Sequence, residues 1–327
     1  MTNQPFEVVE RIDELISRIA TASPSDDAAA LSGELGLARL ELYERDGDGE
    51  ALLAGLRCLL QTIASVADHP DRTRWHFGIG LGYAERARRE QALGDYHEAL
   101  DWLSALYAGP ADLGALRSRV AAALGELCWE RYWLVRHGEG LDPQRALAET
   151  DRLLHRVAPL LARPADPDEL TDVRLVVGLA NLERHELSGD RASLHRGIAL
   201  LASASLAELP VDDPRRCQAG SELAEALRRL SMMDDDPVAL DRSITVATRT
   251  ITWASQADGT AWFLLHRYAA SAARRRWRAR HDRADLELAL SCWRVLLPAG
   301  LDPLSTREYN SLLADWVDTV GPATAPG

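Results

Sequence analysis

The sequence contains no lysine, because all 37 basic residues among its 327 residues are arginine. A Schiff-base lysine, a phosphate-loop lysine and a lysine general base are therefore excluded. A high-GC coding bias explains such a composition, and the abundance of Ala, Leu, Gly and Asp fits it. Selection against a modifiable amine is the alternative explanation.

Cysteines and long apolar runs are also scarce. The spacing of Cys58, Cys128, Cys217 and Cys292 fits neither a disulfide framework nor a zinc site, so we expect a reduced cytoplasmic protein. No run of about 18 apolar residues occurs, so no membrane span is expected. Residues 1–10 lack the order of a signal peptide. The formal net charge of −13 argues against nucleic acid as the main partner.

An aspartate recurs about every 47 residues, with apolar or small residues four and eight positions later in most copies. The successive spacings are 47, 47, 48, 46 and 46 residues, for Asp48, Asp95, Asp142, Asp190, Asp236 and Asp282. Each aspartate is expected to accept amide protons at the start of a helix, as an N-cap does. Small residues ten and twelve positions earlier, such as Gly36 and Ala38, would let two helices approach closely.

This repeat predicts an all-α protein, a right-handed α-solenoid of about six helix-turn-helix repeats. We expect an N-terminal capping helix at 5–21, a C-terminal capping helix at 304–320, and a flexible tail at 321–327. The predicted helix pairs are 26–66, 71–108, 112–162, 168–208, 214–255 and 260–297. No shift in composition marks a linker, so one domain over 1–320 is expected.

The repeat resembles the tetratricopeptide-like arrays of bacterial multi-domain proteins, in which a Gly-Asp turn precedes a Leu-x-x-x-Ile/Leu helix. Gly189-Asp190-Arg191-Ala192-Ser193-Leu194 and the stretch from Asp235 to Leu240 show it best. Such arrays often precede a CHAT-type caspase-like peptidase domain, which does not follow within these 327 residues. The standard 34-residue tetratricopeptide pattern cannot be placed here. The resemblance implies a scaffold or partner-binding module and no catalytic residue.

Two groups of arginine and aromatic residues are candidate partner-binding sites, because Trp, Tyr and Arg are favoured anchors of recognition. The first group is Trp129, Arg131, Tyr132 and Trp133, for which burial in the core is the alternative. The second lies in an arginine-rich run with Arg274, Trp277 and Arg278. That run either forms a docking patch for an acidic peptide or is a solvated face paired with acidic neighbours such as Asp241 and Glu287. Tyr83 and Arg86 belong to a smaller run of the same kind.

Motifs for catalysis or for a cofactor are weak. Cys58 and Cys292 are expected to be core residues, and the nine histidines are scattered without the spacing of a zinc helix. The carboxylates at 234–236 lie in a turn of the repeat, where capping and solvation explain them better than Mg²⁺.

We therefore expect no cofactor and no enzymatic activity. The predicted function is a scaffold or adaptor that binds a protein or peptide, including an acidic one, on a concave surface, as a monomer or homodimer. A sensor whose solenoid curvature responds to a small ligand or peptide is the alternative. An all-helical Mg-dependent enzyme with the carboxylates at 234–236 on the metal is a more remote one.

Overall fold

The part of the chain that the structure describes consists mainly of α-helices. A computed structural model describes residues 4–22, 26–109, 113–137, 142–162, 170–203, 214–254, 259–300 and 303–320. No β-strand occurs in these ranges, and none of their helices is long and apolar enough to cross a bilayer. The helices are α1 (Gln4–Thr21), α2 (Asp26–Asp46), α3 (Gly49–Ser65), α4 (Arg72–Glu90), α5 (Leu93–Ala108), α6 (Leu116–His137), α7 (Pro143–Val157), α8 (Thr171–Ser188), α9 (Arg191–Ser203), α10 (Pro214–Asp234), α11 (Pro237–Ile251), α12 (Thr260–Arg280), α13 (Arg283–Leu296) and α14 (Pro303–Val320).

The helices form successive pairs with a lone helix before the first and another after the last. α2 packs on α3, α4 on α5, α10 on α11 and α12 on α13, and each of these pairs also contacts an adjacent helix of the array. The predicted all-α fold of repeated helix pairs is confirmed. The observed bounds differ from the predicted ones by a few residues, and the predicted tail at 321–327 lies outside the described residues.

Backbone contacts divide the chain into two compact units, Met1–Val176 and Val177–Gly327, with the division inside α8. The first unit contains α1 to α7, and its core includes Leu52, Leu59 and Trp75. The second contains α9 to α14, and its core includes Leu286 and Trp293. A single domain over 1–320 stays a prediction.

A two-residue turn joins the helices of every pair except α6 and α7, which five residues separate. The first residue of the turn is left-handed, with positive φ at Gly47, Gln91, Gly189, Asp235 and His281. The next residue caps the following helix, and the side chain of Asp236 accepts from the amides of Val238 and Ala239 at 2.8 and 3.2 Å. The aspartates that act in this way are Asp48, Asp142, Asp190, Asp236 and Asp282. The predicted capping role is confirmed for these five.

Asp95 is an exception, and its capping prediction is wrong. The residue at the N-cap of α5 is Ala92, which makes no side-chain cap because it has no acceptor. Asp95 lies within the first turn of α5 and accepts from Arg86 instead, with Nε and Oδ2 2.7 Å apart. The second helix pair is therefore shifted by three residues relative to the sequence repeat, because α4 ends at Glu90 and the turn follows at once.

Small residues lie where the two helices of a pair cross. A Cβ atom added to Gly55 of α3 would lie 2.9 Å from the carbonyl oxygen of Gly36 in α2. The same relation joins Gly197 and Gly178, at 3.0 Å. In the α10–α11 pair, Ser243 donates a hydrogen bond to the carbonyl of Ala224 at 2.7 Å. The predicted close approach of these helices is confirmed at Gly36 and Gly178.

Candidate partner-binding groove

Arg131, from the first predicted site group, is fully buried on α6. Its Nη2 lies 2.8 Å from Oε2 of Glu149 in α7 and 2.9 Å from Nε2 of His97 in α5. Burial lowers the pKa of Arg131 to about 10, and the charge of Glu149 offsets part of that effect. The guanidinium therefore lies in the contact between α5, α6 and α7.

The aromatic residues of the same group divide between core and surface. Tyr132 is buried, whereas Trp129 and Trp133 are half-buried. The rings of Trp129 and Trp133 meet edge to face at 5.5 Å, and Trp133 stacks on His137 at 4.5 Å. These three rings form an aromatic surface on the last two turns of α6, where Trp133 and His137 offer ring area to solvent.

Tyr83 and Arg86 contact each other on α4. The guanidinium of Arg86 lies over the ring of Tyr83 at 4.8 Å and also donates two hydrogen bonds to Asp95. Arg86 therefore ties α4 to the first turn of α5. Tyr83 is half-buried against the core of the first unit.

Arginines of α12 are paired with carboxylates in the second unit. Arg274 donates to Asp315 of α14 at 2.9 Å and to Ser311, while exposed Arg278 lies 3.9 Å from Asp315. Both Arg276 and Arg280 donate to Asp241, as the paired-face interpretation predicts. Glu287 pairs with Arg283 rather than with the run itself.

Trp277 completes the second predicted group and packs partly buried against the core of the second unit. Its indole N–H is buried and has no acceptor among the described residues. The two predicted groups belong to different units, so a concave surface shared by them stays a prediction.

The carboxylates at 234–236 have other partners than a metal. Asp234 pairs with Arg191, Asp235 lies 3.1 Å from Arg275, and Asp236 caps α11. No group of three or more His, Cys, Asp or Glu side chains that could hold a metal ion is found among the described residues. Nothing in the described arrangement favours the remote magnesium-enzyme alternative.

Two of the four cysteine thiols, those of Cys128 and Cys292, are poor nucleophiles. Burial raises the pKa of Cys128 to about 12 and that of Cys292 to about 11. Since the thiolate is the reactive form, neither residue is suited to covalent catalysis at neutral pH.

The first unit also contains a groove that the sequence does not predict, formed by the first helices of three successive pairs, α2, α4 and α6. Its volume is about 440 Å³, within the range of ligand-binding sites. Aliphatic and aromatic side chains supply its apolar lining: Leu37, Leu40, Phe77, Leu81 and Leu116. Charged side chains line it as well: Glu41, Glu44, Arg74, Glu85 and Arg119.

These charged residues belong to rows that run along one face of each helix. Arg74, Leu81 and Arg88 are seven residues apart on α4, as are Arg119, Glu126 and Trp133 on α6, so each row keeps nearly one direction. Ion pairs join neighbouring rows. Arg74 reaches Glu34 of α2 at 2.9 Å, and Arg88 reaches Glu130 of α6 at 2.9 Å.

We call this surface the first-helix face, and it includes the groove. Its charged residues are Glu34, Glu41 and Glu44 on α2, Arg74, Glu85 and Arg88 on α4, and Arg119, Glu126 and Glu130 on α6. By its heptad position, Trp133 belongs to the same face at the far end of α6. The signal in the sequence is the seven-residue spacing, which becomes informative only when α2, α4 and α6 are known to be neighbours.

No protein-family model and no curated protein matches this chain. Among solved structures, Nro1, titled a hypoxic regulator of sterol synthesis and nuclear import adaptor, is 12% identical, with 94% of this chain and 99% of that chain covered and a TM-score of 0.45. A second structure of the S. pombe adaptor Nro1 is also 12% identical over 93% of this chain and 99% of that chain, with a TM-score of 0.44. The apo quorum sensor NprR from B. thuringiensis is 13% identical over 94% of this chain and 82% of that chain, with a TM-score of 0.33. With TM-scores below 0.5, none of these structures assigns a function to this chain.

Proposed function

We propose that this protein is a non-catalytic interaction module that binds a segment of a partner protein on the first-helix face of its first unit. The groove between α2, α4 and α6 is the observation that carries the proposal, because it joins an apolar lining to charged side chains around it. Apolar contact area supplies affinity in such sites, and a few polar groups fix orientation. Trp133 at the far end of the face extends the same surface for a longer segment.

Preorganisation supports this function. The helices that form the groove are fixed by their own pairs, since α2 packs on α3 and α4 on α5. A partner segment that binds there orders itself but does not have to order the groove, which lowers the entropic cost of binding. The residues proposed to contact the partner on this face are Trp129 and Trp133, together with the groove side chains. Tyr83 stays a predicted contact outside the groove, because it packs beside Arg86 on another side of α4.

Site-specific crosslinking tests this proposal. We would place the photoreactive amino acid p-benzoylphenylalanine at Leu81 in the groove and, as a matched control, at exposed Ala105 of α5. In lysate of the native host, we expect protein adducts at position 81 that are absent at position 105. Absence of adducts at position 81, or the same adducts at both positions, would contradict a partner site in the groove.

The size of the groove also supports a second candidate, a sensor of a small ligand. A cavity of about 440 Å³ accepts a molecule of drug size as readily as one or two side chains of a protein. A ligand that binds only the folded state raises the melting temperature in the absence of any protein partner. A thermal shift with a metabolite library, abolished by Leu81→Trp, would favour the sensor over the adaptor.

We also propose the cytoplasm as the compartment. Cys58, Cys128 and Cys292 are free thiols, as is usual in a reducing environment.

A further inference from the structure

Carboxylates outnumber guanidinium groups on the first-helix face. Six glutamates contribute to it, Glu34, Glu41, Glu44, Glu85, Glu126 and Glu130, whereas its arginines are Arg74, Arg88 and Arg119. One further arginine, Arg11 of α1, donates to Glu41. The face therefore carries a surplus of negative charge even when Arg11 is counted with its own arginines.

The surroundings of Arg88 show the same surplus of negative charge. Its guanidinium binds Glu85, lies 2.9 Å from Glu130, and lies 3.4 Å from Glu126. Burial acts to lower the pKa of Arg88, but the three carboxylates raise it above its ordinary value. One positive charge is thus shared by three negative ones, and the glutamates retain capacity for a second cation.

Glu44 has no hydrogen bond or ion pair within the part of the chain that the structure describes. Arg119 lies on the same groove, but its guanidinium packs over the ring of Phe77 at 5.2 Å. Burial raises the pKa of Glu44, and the charges of Glu85 and Glu41 raise it further, against the opposite effect of Arg119. A cation bound at this position would relieve that repulsion.

An apolar surface lies beside these carboxylates. Leu37 of α2, Leu81 of α4 and Leu116 of α6 line the same cavity as Glu44 and Glu85. An aliphatic stem that ends in a charged head can cover such a surface while its head reaches the carboxylates, as Lys and Arg side chains do.

We propose that the groove binds a basic segment of another protein, with a lysine or arginine head against Glu44 and Glu85 and an apolar neighbour on Leu37, Leu81 and Leu116. This inference rests on the proposed interaction function and specifies the chemistry of the partner. It reverses the acidic partner suggested by the arginine runs, because Arg86, Arg274 and Arg276 already pair with carboxylates of this chain.

Selection from a random library tests the inference and does not require the natural partner to be identified. A phage-displayed library of random dodecapeptides would be selected on the full chain, and the recovered peptides would be titrated against the parent, Glu44→Gln and Glu98→Gln. Glu98 is an exposed glutamate of α5 outside the groove, so both variants lose one negative charge. We expect lysine and arginine to be enriched, and we expect Glu44→Gln to weaken binding about tenfold while Glu98→Gln changes it less than about twofold.

The outcomes distinguish a failure of the basic-partner inference from a failure of the proposed interaction function. Peptides that bind without enrichment in basic residues, or that respond equally to both variants, overturn the basic partner but leave an interaction module. Recovery of no binding peptide overturns the interaction module itself together with this inference. Circular dichroism of each variant confirms that the helices are intact.

The absence of lysine in this chain allows a second measurement. A carbodiimide joins a carboxylate to an amine without a spacer, and a bound peptide's lysine supplies the only ε-amine in the mixture. We expect mass spectrometry to place the crosslink of a selected lysine peptide at Glu44 or Glu85. Crosslinks confined to carboxylates outside the first-helix face would overturn the site.

Discussion

Arg131 and Glu149 form a buried salt bridge at a point where other helix pairs of this protein hold small residues. Glu149 is seven residues after the N-cap of its helix, and the corresponding residues of four other pairs are Gly55, Ala99, Ser243 and Ala289. The third pair therefore replaces close backbone contact with a pair of desolvated charges. His97 adds a third titratable group to this contact, with Nε2 3.1 Å from Oε2 of Glu149.

Truncation of Arg131 should be among the most destabilising substitutions in the first unit. Arg131→Met removes the buried counter-charge of Glu149 and leaves the exposed Arg152 as its remaining arginine partner, and we expect a loss of about 3–5 kcal/mol in the free energy of unfolding. Urea denaturation followed by circular dichroism measures it. The control is Arg18→Ala, which removes an exposed pair with Glu14 and should cost roughly 0.5 kcal/mol or less.

A double substitution separates the charge from the packing. Arg131→Met with Glu149→Leu removes both charges, and we expect it to recover most of the stability that Arg131→Met loses. If the double variant were no more stable than the single one, the penalty would come from lost volume rather than from an unpaired carboxylate.

Two glycines of the first unit should respond oppositely to alanine. In Gly55→Ala the new Cβ atom would meet the carbonyl of Gly36 at 2.9 Å, so we expect a loss of roughly 1–3 kcal/mol despite the better helix propensity of alanine. Gly94 lies in the first turn of α5 with nothing within 4 Å of such an atom, so Gly94→Ala should gain about 0.5–1 kcal/mol. Equal effects in thermal denaturation would argue against close contact between α2 and α3.

The N-cap of α11 offers a test of the turn between helices. Asp236→Ala removes the acceptor for the amides of Val238 and Ala239, and we expect it to cost about 1 kcal/mol. Asp236→Asn keeps an oxygen acceptor and should cost much less. Chemical denaturation of the two variants compares them, and similar losses would indicate that the side-chain cap does not stabilise this helix.

The His97 contact should make stability depend on pH. Burial lowers the pKa of His97, and the charges of Arg131 and Arg156 lower it further, although Glu149 acts in the opposite direction. As the pH falls below about 6.5, the unfolded chain therefore binds a proton at this histidine before the folded chain does, and stability decreases.

Substitution of this histidine should reduce the pH dependence. Between about pH 7.5 and about pH 5.5, we expect His97→Gln to lose less free energy of unfolding than the parent. His195→Gln, at an exposed position of α9, serves as the control and should keep the parent's dependence. An unchanged loss in His97→Gln would mean that other groups determine it.

The sequence predicts the helices better than it predicts the groove. Helix pairs are recognisable because the aspartate caps and the apolar spacing are local features of the sequence. Only the second pair, with Ala92 at its N-cap, departs from the aspartate repeat of about 47 residues. Burial of Arg131 is not predictable, because its partner Glu149 lies on another helix. The first-helix face depends on which sides of α2, α4 and α6 converge, and that information is distributed over about 100 residues of chain.

The arginine run on α12 is a second case in which the sequence shows the residues but does not identify their partners. Its positive charge is evident from the sequence, which leaves pairing with Asp241 and docking of an acidic peptide as two alternatives. The choice between them needs the positions of α11, α13 and α14, which supply Asp241, Asp285 and Asp315.

The salt bridge between Arg131 of α6 and Glu149 of α7 also affects which helices of a repeat protein pair with each other during folding. Chains built from related units fold with a risk that helices from different units pair with each other. A glycine or alanine crossing accepts any other small crossing, so it does not distinguish the correct partner from an incorrect one. If α6 packed on α3, α5, α11 or α13, the position of Glu149 would be taken by Gly55, Ala99, Ser243 or Ala289, and Arg131 would be buried without that carboxylate, at a cost of several kcal/mol. The polar crossing thus disfavours the pairing of α6 with a second helix from another pair.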